Sequence, residues 1–471
     1  MSLVKWRVAS NLACMNRISR LLTYPAFALV LAVLLKLFWP HVQHHSPVDP
    51  KAFILDVGVE GSGQYQVSMW VPFGSTSDSA PGIAHVMEHL KFKTDVGNGF
   101  VAFDAIPGSS SNASTTYLTT RYDLNVPPAG LSKALETLST MTKPLTITED
   151  SLKLEKNIVQ QELLQRTQSN PDSPFYTDFY SELYKGLPFE HPPIGTAQSV
   201  AAVSMKDVQA FDAAHYQGAR VFVLIAGPVL QASDREAIEN YFPNAALGNL
   251  TVGAKFKVTK EDTELKGAPA FMPTIGTGPI AASEFARDKI SDRARSVKMT
   301  ISKIISAPTS WQAVTASRIL QDAFSSRLPE GLQDKIAEDP RLVQSWSLSF
   351  SRLMDGVWQL DFTGDVADGV TPEQVRSTVE KYLADFATTG LSQASFERLK
   401  ARYLLTSDWE NAAGRANSLA GDSLVFGYDH ASSYFEDLQK TTLQDVNDLL
   451  KSTHLPGRAG VALLKPAGAA Q

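Results

Sequence analysis

The chain has 471 residues, 44% of them hydrophobic, with one cysteine and a formal net charge of -6. That length holds two or more packed domains, and the composition is not that of a disordered chain. The acidic balance gives no basic footprint for nucleic acid, and the lone Cys14 excludes both an internal disulfide framework and a thiolate zinc cluster.

The first distinctive stretch is Leu21 to Trp39, LLTYPAFALVLAVLLKLFW. It matches the roughly 20 residues that a bilayer-spanning helix needs, although Pro25 and Lys36 interrupt it. Lys36 lies near enough to the end to snorkel. Lys5, Arg7, Arg17 and Arg20 precede the run, and apart from Lys36 no Lys or Arg follows until Lys51. The positive-inside rule then predicts residues 1–20 in the cytoplasm, 21–39 as a single-pass anchor, and everything after about Pro40 across the membrane. In a Gram-negative source this is an inner-membrane protein facing the periplasm. A cleaved signal peptide is the alternative, but no small-x-small cleavage site follows the apolar run, and Cys14 lacks the apolar segment of a lipoprotein signal.

Past the polar stretch 41–50, Ala52 to Glu60 and Gln64 to Pro72 read as strands of a hairpin around Gly61-Ser62-Gly63. Next comes Gly82-Ile83-Ala84-His85-Val86-Met87-Glu88-His89-Leu90-Lys91-Phe92-Lys93, an apolar helix opened by Pro81. Residues four apart on a helix lie one above the other, so His85 and His89 can offer nitrogens to one metal ion, with Glu88 beside that edge. His-x-x-Glu-His is the inverzincin order, and catalytic zinc usually takes a third protein ligand besides water. Gly97 to Ile106 and Asn112 to Val126 have strand character. Ala129 to Met141, Thr148 to Thr167, Pro174 to Tyr184 and Ser204 to His215 read as helices, with Thr148 as an N-cap, and Arg220 to Ala226 as a strand.

An internal repeat divides the chain. Ser204-Met-Lys-Asp-Val, a helix and Ala219-Arg-Val-Phe-Val-Leu-Ile-Ala-Gly-Pro resemble Thr442-Leu-Gln-Asp-Val, a helix and Ala459-Gly-Val-Ala-Leu-Leu-Lys-Pro. The expectation is an α+β protein of two similar halves, 50–252 and 292–471. The Gly-, Pro-, Thr- and Lys-rich stretch 253–291 would link them. The second half opens with a strand, Ser296 to Ile305, and a helix, Trp311 to Ser325. That helix carries Thr315-Ala-Ser-Arg-Ile-Leu-Gln-Asp-Ala where the first half carries histidines, so this half is metal-free.

The flanked motif Gly-Ile-Ala-His-x-x-Glu-His-Leu-x-Phe-Lys resembles the pitrilysin/insulinase family of zinc metallopeptidases, to which mitochondrial processing peptidase belongs. The likeness is strong from about Ala52 to Gly227 and weak afterwards. It implies a clamshell of two related halves and one zinc per chain. It also implies a third ligand, a glutamate on a later helix that holds another glutamate seven residues earlier. Glu162 matches that ligand, since 162 minus 89 is 73, and Glu155 matches the supporting acid. Seven residues is nearly two turns, so the two carboxylates share a face. Zinc on His85, His89 and Glu162 would activate water, and Glu88 would act as general base on a peptide carbonyl. Asn112-Ala113-Ser114-Thr115 resembles the family's substrate-binding edge strand, where Asn112 and Ala113 would hold an extended peptide by β-augmentation. His191-Pro192-Pro193-Ile194-Gly195-Thr196 resembles a structural loop of the family.

The chain departs from that pattern in its second half. Active members bring an arginine and a tyrosine from there, within a Leu-Arg-x-Lys segment ending in Tyr. Here the nearest match is Leu332-Gln333-Asp334-Lys335, followed by Ser345-Trp346-Ser347, without the tyrosine. A metal-free homologous subunit supplying the missing pair in a heterodimer is therefore expected. Two other classes stay open, a non-catalytic peptide-binding module and an assembly subunit of the same fold.

Overall fold

The computed structural model describes residues 51–59, 62–92, 106–252, 258–263, 265, 270, 280–337, 341–406 and 420–467. The expected anchor, 21–39, lies outside them, as does most of the strand expected at Gly97 to Ile106. Among the described residues no helix is long and apolar enough to cross a membrane.

Two mixed sheets form the framework. The first contains β1 (Ala52–Val59), β2 (Tyr65–Val71), β3 (Ser110–Thr115), β4 (Thr120–Val126), β5 (Val221–Gly227), β6 (Ala246–Val252) and β7 (Val258–Thr263), in the order β3-β4-β2-β5-β1-β6-β7. The second contains β8 (Ser283–Ser291), β9 (Lys298–Ser306), β10 (Val343–Met354), β11 (Val357–Val366) and β12 (Gly457–Pro466), in the order β10-β11-β9-β12-β8. If β8 to β12 are matched with β1 to β5, the second order becomes β3-β4-β2-β5-β1. The directions agree as well. β1 is parallel to β5 as β8 is to β12, and the remaining neighbours within each set of five are antiparallel.

The repeat seen in the sequence sits at matching places in this scheme. Helix Met205–Phe211 is capped by Ser204 with Asp207 and leads to β5. Helix Leu443–Ser452 is capped by Thr442 with Asp445 and leads to β12. In both, the hydroxyl accepts from the backbone N–H three residues on while the carboxylate returns a bond to the cap, satisfying two orphan donors.

The expected hairpin of 52–60 with 64–72 does not form. β5, VFVLIAG and buried at every residue, lies between β1 and β2 and pairs with both. Strands buried on both faces read as continuous apolar runs, and β1 likewise sends Ile54 into one core and Phe53, Leu55 and Val57 into another. The stretch Asn112 to Val126 is two antiparallel strands joined by a tight turn, in which Thr116 N–H donates to Thr119 O at 2.8 Å. Helix 204–215 ends as an α-helix at Phe211 and widens into a π-turn over 212–216. The stretch expected as a linker, 253–291, contributes β7 to the first sheet and β8 to the second. β8, SEFARDKIS, is an edge strand of mostly exposed residues, so its composition imitates a connector.

Helix α1 (Ile83–Phe92) packs on the first sheet through Ile83, Val86, Met87 and Leu90. After the short helix α2 (Leu131–Ser139) comes the 21-residue α3 (Glu149–Ser169), capped by Thr148, and then α4 (Ser173–Leu183). α4 leaves its own sheet to cover a face of the second, where Leu183, Tyr184 and Phe189 meet Ile304, Met354 and Val357. In return, Ala420, Leu424, Tyr428 and Ala431 cover the outer face of the first sheet around Phe53, Leu55, Trp70 and Phe222.

Candidate functional site

The start of α1 is fixed from two sides. Asp78 accepts from the N–H groups of Gly82 (2.7 Å) and Ala84 (2.9 Å), satisfying orphan donors at the helix N-terminus. Gly82 has φ 92°, and a Cβ there would lie 2.8 Å from Ile194 O. Gly195, φ 73°, would in turn put a Cβ 2.6 Å from Pro81 O. Only glycine allows this left-handed backbone and this approach, so the 191–196 loop is pinned against the helix start. At the far end, buried Lys91 pairs with Asp212 at 2.6 Å and donates to Lys143 O at 2.7 Å.

Between these fixed ends His85 and His89 face one cleft, with ring centroids 4.9 Å apart. Opposite them α3 presents Glu162. Its Oε2 lies 3.7 Å from His85 Nε2 and 3.6 Å from His89 Nε2. A tetrahedral ion with zinc bonds of ~2.0–2.1 Å separates its ligands by roughly 3.3 Å, so the three atoms are near the spacing such an ion requires. Two imidazole nitrogens and a carboxylate oxygen also form a donor set suited to catalytic zinc. Donor atoms of His85, Glu88 and His89 themselves lie within 4.8 Å of one another.

Each neighbour of this cluster has a distinct task. Glu155, one of the few buried residues of α3, places Oε2 3.3 Å from His89 Nδ1, which directs His89 Nε2 toward the cleft. Arg166 donates to Glu162 Oε1 (3.0 Å from Nε), leaving Oε2 for the histidines. Glu88 Oε2 is 3.9 Å from His85 Nε2 and accepts a 2.6 Å hydrogen bond from Thr115 Oγ1. Thr115 belongs to β3, the outermost strand of the first sheet among the described residues. Asn112 and Ala113 are on the same strand and line the cleft.

Electrostatics divides the two imidazoles. Burial, with His89 adding repulsion, pushes His85 down to about 4, so it is neutral near pH 7. Burial opposes charge on His89 too, but the hydrogen bond to Glu155 and the nearby Glu162 carboxylate outweigh it and raise that ring to about 9. The nearby His89 ring, reinforced by Arg166, lowers Glu162 to about 2 despite partial burial. Burial raises Glu88, and the Thr115 hydroxyl opposes the rise.

The structure thus brings together His85, Glu88, His89, Glu155 and Glu162, and puts Asn112 and Ala113 on the same cleft. The sequence reading did not assign roles to Thr115 or Arg166. Arg166 was signalled, being four residues from Glu162 on one helix face. The Thr115 contact spans two elements and has no local sign. In the second half, Gln333 Oε1 accepts from Trp346 Nε1 at 3.2 Å. The described lining of the histidine cleft comes entirely from residues 85–194.

A zinc protease, PqqE, of Helicobacter pylori is 31% identical over 186 residues, 38% of this chain and 42% of that protein, so the aligned part spans less than half of the relative. An uncharacterized zinc protease of Mycobacterium bovis is 24% identical over 416 residues, 85% of this chain and 88% of that one. A solved protease structure from Helicobacter pylori superposes with a TM-score of 0.69 at 20% identity, covering 89% of this chain and 98% of the other. A peptidase M16 inactive domain from Pseudomonas fluorescens gives 0.66 at 15% identity, covering 89% and 96%. At such identities the structural likeness concerns the fold. Residues 60–196 match the model of Insulinase (Peptidase family M16), and the chain therefore carries a peptidase family M16 domain of the insulinase/pitrilysin type.

Proposed function

We propose that this chain is a zinc-dependent endopeptidase acting on peptides or unfolded segments. The observation that carries the reading is the convergence of Glu162 Oε2 on both histidine Nε2 atoms, at 3.7 and 3.6 Å. His85, His89 and Glu162 hold the ion and Glu155 orients His89. Bound there, zinc supplies Lewis acidity toward water and the peptide carbonyl. Glu88, tied to Thr115 rather than needed as a ligand, takes the proton of the attacking water and delivers it to the leaving amine as the C–N bond breaks. Asn112 and Ala113 hold the extended substrate on the open side of β3.

Replacing Glu88 with Gln keeps the shape and removes the base. Turnover of a quenched peptide should fall by about 10²–10⁴ while zinc, measured by elemental analysis, stays at one per chain. Wild-type turnover in the Glu88→Gln variant overturns the mechanism.

The reading extends to a heterodimer in which a metal-free homologous subunit supplies an arginine and a tyrosine. Its support is that Gln333 is bonded to Trp346 and that the described cleft wall lacks second-half residues. Added partner should raise peptidase activity, and full activity of the chain alone removes the need for it. Residues 21–39 would anchor the chain with residues 50–471 on the periplasmic side, which protease protection in spheroplasts tests. A second reading, a peptide-binding or assembly subunit that does not cut, is favoured by the Gln333 substitution. Zinc binding without turnover in the presence of any partner decides for it.

A further inference from the structure

Pro192, in the wall of the histidine cleft, also lines a second cavity of about 510 Å³ between the β3–β4 turn, α4 and the second sheet. Tyr117, Tyr176, Tyr180, Tyr184 and Phe189 form its aromatic wall. Tyr117 and Phe189 have centroids 5.0 Å apart, and Tyr180 stacks on Tyr184 at 5.8 Å. Two of the rings are anchored from beyond the wall. Tyr180 donates to the Asp361 carboxylate at 3.2 Å and Tyr184 to Gln359 Oε1 at 2.7 Å. Their hydroxyls are engaged by the second sheet, so these rings are held in place and present carbon faces and edges to the cavity.

The position of this wall relative to β3 gives it a use. Tyr117 follows Thr115 by two residues and Ala113 by four. A peptide laid along the outer edge of β3 advances about 3.3 Å per residue. β3 ends at Thr115 and Tyr117 sits in the tight turn beyond it, so a peptide residue two or more places past the one beside Ala113 leaves the strand edge where the aromatic wall begins. We propose that this cavity is a specificity subsite taking one aromatic or bulky apolar side chain a few residues from the scissile bond. The proposal rests on reading the cleft as a peptide site, and it sets which peptides are preferred.

The test uses the full-length chain loaded with zinc and a set of labelled peptides in which one Phe is moved through an Ala background on both sides of the cleavable bond. Binding is measured by fluorescence anisotropy on the Glu88→Gln variant, and cleavage on the wild type. Phe at one position three to five residues from the bond should tighten binding roughly ten-fold or more over Ala, the scale of burying one aromatic side chain. Ser181→Phe, which fills the cavity from α4, should bring that ratio to about one, and Tyr117→Ala should lower it. No preference at any of these positions, or a ratio unchanged in Ser181→Phe, overturns the proposal. Cleavage without the preference leaves the peptidase reading standing and the subsite refuted. Preferential binding without cleavage by the wild type, either alone or with a metal-free homologous subunit added, does the reverse.

Discussion

At the residue level the metal cluster is a set of unequal charges. With His85 lowered to about 4 and His89 raised to about 9, the metal-free site carries one ring proton at pH 7. Ligation needs both rings neutral, so zinc binding at pH 7 should release about one proton. Affinity should then rise about ten-fold per pH unit until about pH 9 and level off. Calorimetry in buffers of different ionisation enthalpy measures the release, and a value of zero contradicts the assigned ring states. The stability sign is opposite. A histidine raised above its unfolded value stabilises the metal-free fold fully below about pH 6.5, and that contribution is lost as pH rises through about 9. Glu155→Gln removes the group that steers His89 and should weaken zinc about 10- to 100-fold in a chelator competition. Thr115→Val should lower kcat with little change in zinc affinity, and Thr115→Ser should restore it, because the hydroxyl acts on Glu88 and not on the ligands.

At the level of elements, the site depends on α1 and α3 facing each other across the cleft, and the glycine contact at the start of α1 pins against that helix the 191–196 loop, whose Pro192, Pro193 and Ile194 line the same cleft. Gly195→Ala forces a Cβ into a left-handed backbone beside Pro81 O. A loss of roughly 1–3 kcal/mol or more is expected from urea unfolding, with a drop in zinc affinity. How legible the elements were follows from the range of the forces that make them. Helix Trp311–Ser325 has the bounds read from its apolar spacing, and α3 begins at the cap that Thr148 announced. His85, Glu88 and His89 were readable because one helical turn sets their relation, while Glu162 required a resemblance, since nothing local ties it to residue 85. The supposed hairpin of β1 and β2 was a misreading of a local Gly-Ser-Gly turn. Insertion of β5 between those strands is decided about 150 residues away, by the burial of VFVLIAG on both faces, and no window around residue 61 contains that information. β8 was mistaken for linker because an edge strand that shows mainly charged side chains to solvent has the composition of a loop.

At the level of the whole molecule, the two sheets share one five-strand plan and cover each other. Residues 420–431 close the outer face of the first sheet, over Phe53, Leu55, Trp70, Phe222 and Leu224, while α4 closes a face of the second. Cooperative unfolding of residues 50–471 should therefore be a single calorimetric transition. A fragment ending at residue 252 should bind a hydrophobic dye strongly or precipitate, because it retains the first sheet without its cover. Two separate transitions, or a soluble dye-silent fragment, would show that the contacts across the sheets are dispensable.

This mutual sheltering makes each half the other's solubilising partner: expressed from two separate genes, the halves should be recovered folded only when mixed.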